Sequence, residues 1–596
     1  MALDTFTTPI SRRVWETKYR LLGGDRTVED TWRRIARALA VVERDAAWER
    51  RFYEALSGFK FLPGGRIQAG AGTARRVTLF NCFVMGTIDD SIDGIFDAIK
   101  EGAVTMQQGG GVGYDFSTLR PRGTTARSVG GVASGPVSFM RIWDATCATL
   151  LSTGARRGAM MATLRCDHPD VLTFVEAKQT PGELRNFNLS VLVTDDLMRA
   201  VESDAEWPLV FPDTGDGGET LARRWSGSVE PTPCRVHRRI RARELWDRLM
   251  RATYDHAEPG VLFIDRINRQ NNLWYREQIS ATNPCGEVPL PPYGACDLGS
   301  INLVAFVREP FTQRASLDFE AIAAVTRVAV RLLDDVVDAS HFPLEKQADI
   351  ARGTRRVGLG LTGLADVLIM LGHDYADSSA RELAARAMET VCHAAYRYSI
   401  ELAREKGAFP FFERERYLAG EFVSGLPADI RDGIARHGIR NSHLTAIAPT
   451  GTISLLANNV SSGIEPVYDF RHRRRFLELD GTTAEHALTD YALDRWRALR
   501  GKESLPRNFV TALVVPPAAH VDMQAALQPH VDNSISKTIN VPADFPFDRF
   551  KDIYRYAFER GLKGCTTYRP NPITGAVLAP SPEDEKLCCT PDREAD

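Results

Sequence analysis

Asn283-Pro284-Cys285-Gly286-Glu287 sets an amide, a thiol and a carboxylate at alternate positions. In an extended chain, residues i, i+2 and i+4 point to one side, so Asn283, Cys285 and Glu287 share a face. Pro284 and Gly286 occupy the other positions. Neither pairs well in a central strand, and the spacing predicts a loop held in extended form. A thiol beside a carboxylate suits chemistry that couples an activated sulfur to a general base. By spacing alone, a structural turn with a chance cysteine competes on equal terms. Nine residues after Glu287 comes Cys296, within Tyr293-Gly294-Ala295-Cys296-Asp297-Leu298-Gly299-Ser300-Ile301-Asn302-Leu303. Far upstream, Cys82 lies in the strand-like run Asn81-Cys82-Phe83-Val84-Met85. A buried cysteine is ordinarily a small hydrophobe, so none of the three decides anything by itself.

The chain around these residues has 596 residues and a mass of 66.1 kDa. At roughly 150 residues per domain this is about four domain equivalents, or one large barrel with additions. With 44% hydrophobic and 25% charged residues, a disordered chain and a fibre are excluded. Lys plus Arg (74) nearly balances Asp plus Glu (77), which argues against a nucleic-acid coat or a membrane-surface binder. Ten cysteines are too sparse for a disulfide scaffold, and no pair has CxxC spacing, so no structural zinc or other metal site is expected. The first residues carry no signal-peptide core, and no run approaches the ~20 apolar residues that span a bilayer. These features predict a soluble cytoplasmic protein with reduced thiols.

The first ~60 residues have helical texture, with apolar residues at helical spacing over 28–51. Ser91 to Gln108 predicts an amphipathic helix that runs into Gly109-Gly110-Gly111-Val112-Gly113, where backbone can approach a ligand closely. Ser190 to Thr194, Val261 to Ile264, Leu444 to Ala448 and Val510 to Val515 predict strands. Leu317 to Val337 and Ala380 to Lys406 predict long helices. This alternation favours an α/β architecture with a parallel sheet or barrel. Pro449-Thr450-Gly451-Thr452-Ile453-Ser454 follows a strand and opens a helix-compatible run, which fits a phosphate site and, equally, a capped helix after a tight turn. Gly358-Leu359-Gly360-Leu361-Thr362-Gly363 has the G-x-G-x-x-G pattern, but polar and basic residues precede it in place of a strand; it is expected to be a glycine-lined packing segment.

Asn283 to Glu287 followed by Gly294 to Leu303 resembles the central loop of ribonucleotide reductases, most closely the adenosylcobalamin-dependent class II form. The resemblance continues, in chain order, through almost the whole sequence. It includes Asn81 to Val84, Gly109 to Phe116, Arg120 to Gly123, Gly130 to Met140, Arg156 to Ala162 and Asn186 to Val191. Further on it includes Pro449 to Ser454, Ser461 to Pro466, Asp532 to Thr538 and Gly564 to Pro570. It implies an α/β fold, a ten-stranded α/β barrel of two five-stranded parallel halves with a central finger loop, plus an N-terminal helical region. The expected spans are 1–75 for the helical region, 76–545 for the barrel with its catalytic and effector loops, and 546–596 for a C-terminal segment with a flexible cysteine tail. It also implies roles. Cys285 becomes a thiyl radical that takes the 3′ hydrogen of the ribose, Glu287 is the general base for the 3′-hydroxyl, and Asn283 bonds the substrate hydroxyls. Cys82 and Cys296 supply the reducing equivalents and close a disulfide. Asn81, Gly110, Gly111 and Pro449, Thr450, Gly451, Thr452, Ile453 and Ser454 contact the ribonucleotide substrate.

The loops over 122–132 and 154–161 resemble the family's specificity loops, with a deoxynucleotide or ATP effector at a homodimer interface. Asp90, Ser91, Arg122, Arg156 and Arg157 are the candidate effector residues, and Asp89 is a rival to Asp90. Cys82 stands too early for the family's N-terminal ATP module, so dATP is expected not to inhibit overall activity. One tyrosine in Thr566-Thr567-Tyr568, where class I subunits carry two, and no visible glycyl-radical motif favour adenosylcobalamin as the cofactor. No Asp-x-His-x-x-Gly motif is present, so no histidine is expected on cobalt. Cys588 and Cys589 are candidates for re-reducing the active site from a thioredoxin or glutaredoxin-type partner; they are adjacent where the family usually separates them, and Cys565 is a possible partner for one of them. The alternatives are a class I-type subunit needing a radical-generating partner, an inactive nucleotide sensor and a cysteine hydrolase.

Overall fold

The computed structural model describes residues 5–126, 131–152, 156–180, 182–212, 217–228, 230–477 and 483–570. Cys588 and Cys589, and the side chains of Arg156 and Arg157, lie outside the described residues.

Short helices open the chain: α1 (Pro9–Val14), α2 (Val28–Ala40) and α3 (Ala47–Leu56). Thr27 and Asp30 form a reciprocal capping box at the start of α2, whose Trp32, Ile35, Ala36 and Leu39 make a buried stripe. The helical pattern over 28–51 is broken between α2 and α3. There Glu43 leaves the pattern to pair with the buried Arg331 at 2.6 Å and with Lys406 at 2.6 Å, docking this region onto the barrel helices.

The core is built on β1 (Phe61–Pro63), β2 (Cys82–Val84), β3 (Gly111–Asp115), β4 (Met160–Arg165), β5 (Phe187–Val193), β6 (Gly260–Phe263), β7 (Ala295–Asn302), β8 (Val357–Thr362), β9 (Thr538–Asn540) and β10 (Gly564–Tyr568). Strands β2 to β6 are parallel neighbours in that order. Their nearly continuous apolar runs fit strands covered on both faces. In the second half, β7 pairs with β8, and β9 with β10, both in parallel. Between these pairs, Leu359 bridges to Thr445 and Ile447 to Ile535, again in parallel. Backbone bonds from Leu359 N to Leu444 O (2.9 Å) and from Ser536 N to Ile447 O (2.8 Å) continue that ladder. The halves join through antiparallel pairs, β7 with β2 and β6 with β10. The result is the expected ring of ten strand segments in two parallel fives, with β1 added antiparallel along β7.

Helices cover the ring: α4 (Ile92–Gln107), α5 (Phe319–Ala339), α6 (Ser378–Lys406), α7 (Gly451–Leu456) and α8 (Pro517–Leu527). Ser91 caps α4 by accepting from Gly94 N at 3.0 Å. The glycine-rich segment 358–363 is strand β8 and its exit, a packing segment as expected: a Cβ on Gly360 would lie 2.2 Å from the carbonyl of Ala446. One expected strand is absent. Val510 to Val515 forms turns, with Val514 and Val515 N both donating to Thr511 O, and Val514 is exposed. The run has no partner strand and turns the chain toward α8 instead. No helix among the described residues is long and apolar enough to cross a membrane.

Candidate active site

Two short antiparallel strands, Ala281–Thr282 and Pro289–Leu290, lift Asn283 to Val288 into the ring as a hairpin. The tip is not extended, which corrects the alternating-face expectation. Gly286 N donates to Asn283 O at 3.1 Å, closing a tight turn with Pro284 at its second position, and Gly286 has φ +81°. Val288 N donates to the Asn283 side-chain oxygen at 3.0 Å. Proline presets the turn and glycine supplies the left-handed exit, so the motif folds back on itself. Asn283 and Glu287 are thereby turned into the protein, each 1% exposed, while Cys285 stays half-buried at the tip.

Both halves of the ring hold the finger. Asn188 on β5 donates to Pro284 O at 2.7 Å, and Thr163 on β4 to Ser280 O at 2.8 Å. Across the ring, Ser534 N donates to Glu287 O at 2.9 Å. On β3, a Cβ at Gly113 would sit 1.9 Å from Thr282 O, and one at Gly111 3.2 Å from the Pro284 ring. The glycine-rich run is thus used for the close approach of the chain's own finger. Gly110 packs against Phe83 and Thr105.

Cys82 on β2 and Cys296 on β7 are register partners in the antiparallel seam between the halves. Directly opposed residues in such a pair have Cα atoms about 4.5–5.5 Å apart, inside the range a disulfide spans. Both are thiols, and both are buried. The absent side chain of Gly358 leaves room for the Cys296 sulfur. Asn283 Nδ2 donates to Cys82 Sγ at 3.2 Å, and Cys82 Sγ lies 4.0 Å from Glu287 Oε1. The finger and the seam therefore meet in one polar cluster, and all five residues singled out in the sequence lie on these two adjoining elements.

Burial pushes the Glu287 carboxyl up to about 7, opposed by hydrogen bonding from Asn283. Its Oε2 has no hydrogen-bond partner among the described residues. A carboxyl poised near neutrality with an unused oxygen is suited to accept a proton from a bound hydroxyl. Burial, with the adjacent Asp297, holds the Cys296 thiol well above its ordinary range, so it keeps its proton.

The 449–454 segment is braced from behind. Thr450 has φ +55°, and its hydroxyl bonds Thr362 at 2.9 Å and accepts from Gly463 N at 2.7 Å. Ser454 bonds Ser462 at 3.1 Å. Lys18 from the N-terminal region reaches Thr452 Oγ1 at 3.4 Å, a contact the motif did not reveal because 434 positions separate the two. Among the effector candidates, Asp90 is paired with Arg120 at 2.6 Å, Ser91 Oγ donates to Asp89 at 2.5 Å, and Arg122 N donates to Asp170 at 2.8 Å. Arg156 and Arg157 form a short strand against Leu151–Ser152.

A brace behind Glu287 also went unread. Asp532 accepts from Leu444 N (2.7 Å), Thr445 N (2.9 Å) and Tyr396 OH (2.7 Å). The buried Lys563 ammonium donates to the carbonyls of Asp532 (2.7 Å) and Asn533 (2.6 Å). The resemblance covers Asp532 within the 532–538 stretch, but nothing in the sequence links it to Lys563 or Tyr396.

Two family models match the chain: ribonucleotide reductase, barrel domain, over residues 80–568, and ribonucleotide reductase, all-alpha domain, over residues 5–76. A Mycobacterium tuberculosis protein named vitamin B12-dependent ribonucleoside-diphosphate reductase is 38% identical, over 92% of this chain and 77% of the relative. A Thermoplasma acidophilum protein of the same name is 36% identical, over 90% of this chain and 67% of the relative. The ribonucleoside-diphosphate reductase subunit alpha of Chlamydia pneumoniae is 27% identical, over 91% of this chain and 56% of the relative.

Proposed function

The chain belongs to the ribonucleotide reductase family, and we propose that it reduces ribonucleoside diphosphates to 2′-deoxyribonucleoside diphosphates with adenosylcobalamin as radical source. The observation that supports this reading is a finger that carries the half-buried Cys285 and whose Asn283 and Glu287 reach Cys82, the register partner of Cys296. The name shared by the relatives at 36–38% identity supports the cofactor and the diphosphate substrate.

The residues fit such a cofactor. Cys285 is the least buried member of the set, and nothing lies within 4 Å of where a Cβ on Gly286 would be, so the fingertip borders open space. When bound there, adenosylcobalamin supplies a one-electron oxidant through its weak cobalt–carbon bond. Cys285, as a thiyl radical, takes the 3′ hydrogen of the ribose and returns it at the end. Glu287 Oε2 accepts the 3′-hydroxyl proton, and Asn283 orients the two hydroxyls. The 2′-hydroxyl leaves as water, its carbon gaining two electrons and a proton. Cys82 and Cys296 each give up one electron and one proton and become a disulfide. The sum is ribonucleotide plus two thiols to deoxyribonucleotide, disulfide and water.

The 449–454 segment would bind the diphosphate, and Lys18 beside Thr452 supports that assignment. A buried disulfide is out of reach of a folded reductant, which supports a shuttle by Cys588 and Cys589 to a thioredoxin-type partner. The loops carrying Asp90, Ser91, Arg122, Arg156 and Arg157 would take a nucleotide effector at a homodimer interface.

The deciding assay uses the purified chain, CDP, dithiothreitol and adenosylcobalamin with no second protein. Deoxycytidine diphosphate formed only when the cofactor is present is the expected result. Product that appears only after a separate subunit is added would replace this reading with the class I type. Exchanging Cys588 and Cys589 for serine is expected to leave turnover with dithiothreitol intact and to stop it with thioredoxin; unchanged thioredoxin turnover would remove the shuttle.

A further inference from the structure

Away from the finger, three ligand-type side chains converge on the outside of the ring. Glu389 and His393 stand four residues apart on α6, one turn apart on one face. His530 meets them from the single 3-10 turn Gln528–His530 that follows α8. One carboxylate oxygen and one nitrogen from each imidazole all lie within 4.8 Å of one another. The two rings meet edge to face with centroids 6.2 Å apart. None of the three side chains has a hydrogen-bond or ion-pair partner among the described residues. Arg397, the cation that acts on His393, is paired with Asp429 at 2.7 Å. Burial lowers both imidazoles from their ordinary range, favouring the neutral form that ligates metals, while Glu389 opposes this in each and Asp429 also does so at His393.

We propose that Glu389, His393 and His530 bind one divalent transition-metal cation of the zinc class, with water completing the coordination on the exposed side. Two imidazole nitrogens and a carboxylate match zinc's preferred donors, and two nitrogens disfavour calcium and magnesium. Bonds of about 2.0–2.2 Å would bring the donor atoms to roughly 3.3 Å apart, a closure within reach of side-chain rotation. The cation would staple α6 to the turn that leads into Asp532. Tyr396, one turn further along α6, already holds Asp532 at 2.7 Å, and Ser534 N reaches Glu287 O at 2.9 Å. The site thus adds a second tie between α6 and the segment that backs the catalytic carboxylate. It stands independently of the proposed reaction.

The test is calorimetric titration of chelator-treated full-length protein with Zn²⁺, together with thermal unfolding, on wild type, His393→Gln, His530→Gln and the double variant. One Zn²⁺ per chain is expected at these residues, weakened about tenfold or more by either single change and lost from this site in the double variant. Zn²⁺ should raise the Tm of wild type and not of the double variant. The two substitutions lie on different elements, so misfolding of one variant leaves the other informative. Equal affinity and stoichiometry in wild type and the double variant would assign the ion to thiols elsewhere and overturn the proposal. So would no binding to wild type at about 1 mM Zn²⁺.

Discussion

The two halves of the ring are held together by different means. From β2 to β6, neighbouring strands share backbone ladders in continuous register. In the other half, 444–447 and 533–536 meet their neighbours through isolated bridges, and polar side chains supply what the backbone omits. Asp532 bonds two backbone N–H groups, Asn533 Nδ2 donates to Thr445 O at 2.9 Å, and Lys563 caps two carbonyls. The regular half is a scaffold. The irregular half is a frame in which buried charge has replaced strand pairing, and it is the half that holds Glu287 through Ser534. A polar frame fixes one geometry at the cost of tolerance, because each removed group leaves a buried partner unsatisfied.

The largest expected effect lies on the finger between the halves. Cys285→Ser should lower turnover by at least ~10⁴-fold while leaving the melting temperature unchanged, separating chemistry from framework. A concurrent loss of stability would show that the finger is itself part of the frame. Next, Lys563→Met should cost about 3–5 kcal/mol in denaturant unfolding, since it strips a buried donor from carbonyls in the irregular half. Thr163→Val, on regular β4, should cost only about 1 kcal/mol. Equal costs would abolish the distinction between scaffold and frame.

Much of the site was legible in the sequence and much of this frame was not. Asn283, Cys285 and Glu287 announced themselves by residue type, and Cys82 and Cys296 joined them by resemblance. Their relative placement did not follow from alternation, because Pro284 and Gly286 close a turn where an extended strand would have kept all three on one face. Parallel strands β5 and β6 carry short apolar runs that the sequence already marks as strands. The 444–447 and 533–536 segments are fixed by side chains from distant positions, and Lys563 is a lone charge until the fold brings it beneath Asn533. The same distance hid His393 from His530. The misread at Val510 to Val515 has the opposite cause: an apolar run with no neighbour to pair with stays a turn.

A smaller effect tests the electrostatics of the finger. The buried Glu287 carboxyl has a folded value of about 7 against an ordinary 4.5. The folded state therefore holds a proton that the unfolded state has released, and stability falls as pH rises through that window. Glu287→Gln should remove this penalty, making the protein more stable at pH 8 by about 1–3 kcal/mol while abolishing turnover. In wild type, turnover should rise with pH around an apparent pKa near 7. A flat profile from pH 6 to 8 would separate Glu287 from the rate-limiting proton transfer.

Under the proposed reaction, the register of Cys82 with Cys296 would make the barrel a reagent as well as a catalyst. Each turnover of the proposed reaction would sew its two halves together by one covalent stitch across their seam. The stitch closes a loop from residue 82 to residue 296, which chain-entropy reasoning values at about 5 kcal/mol against unfolding. The spent enzyme would then be the tougher form, and the reductant would loosen the protein as it restores it. Without reductant, the yield is one product per chain, and the halted population should melt at a higher temperature than the fresh one.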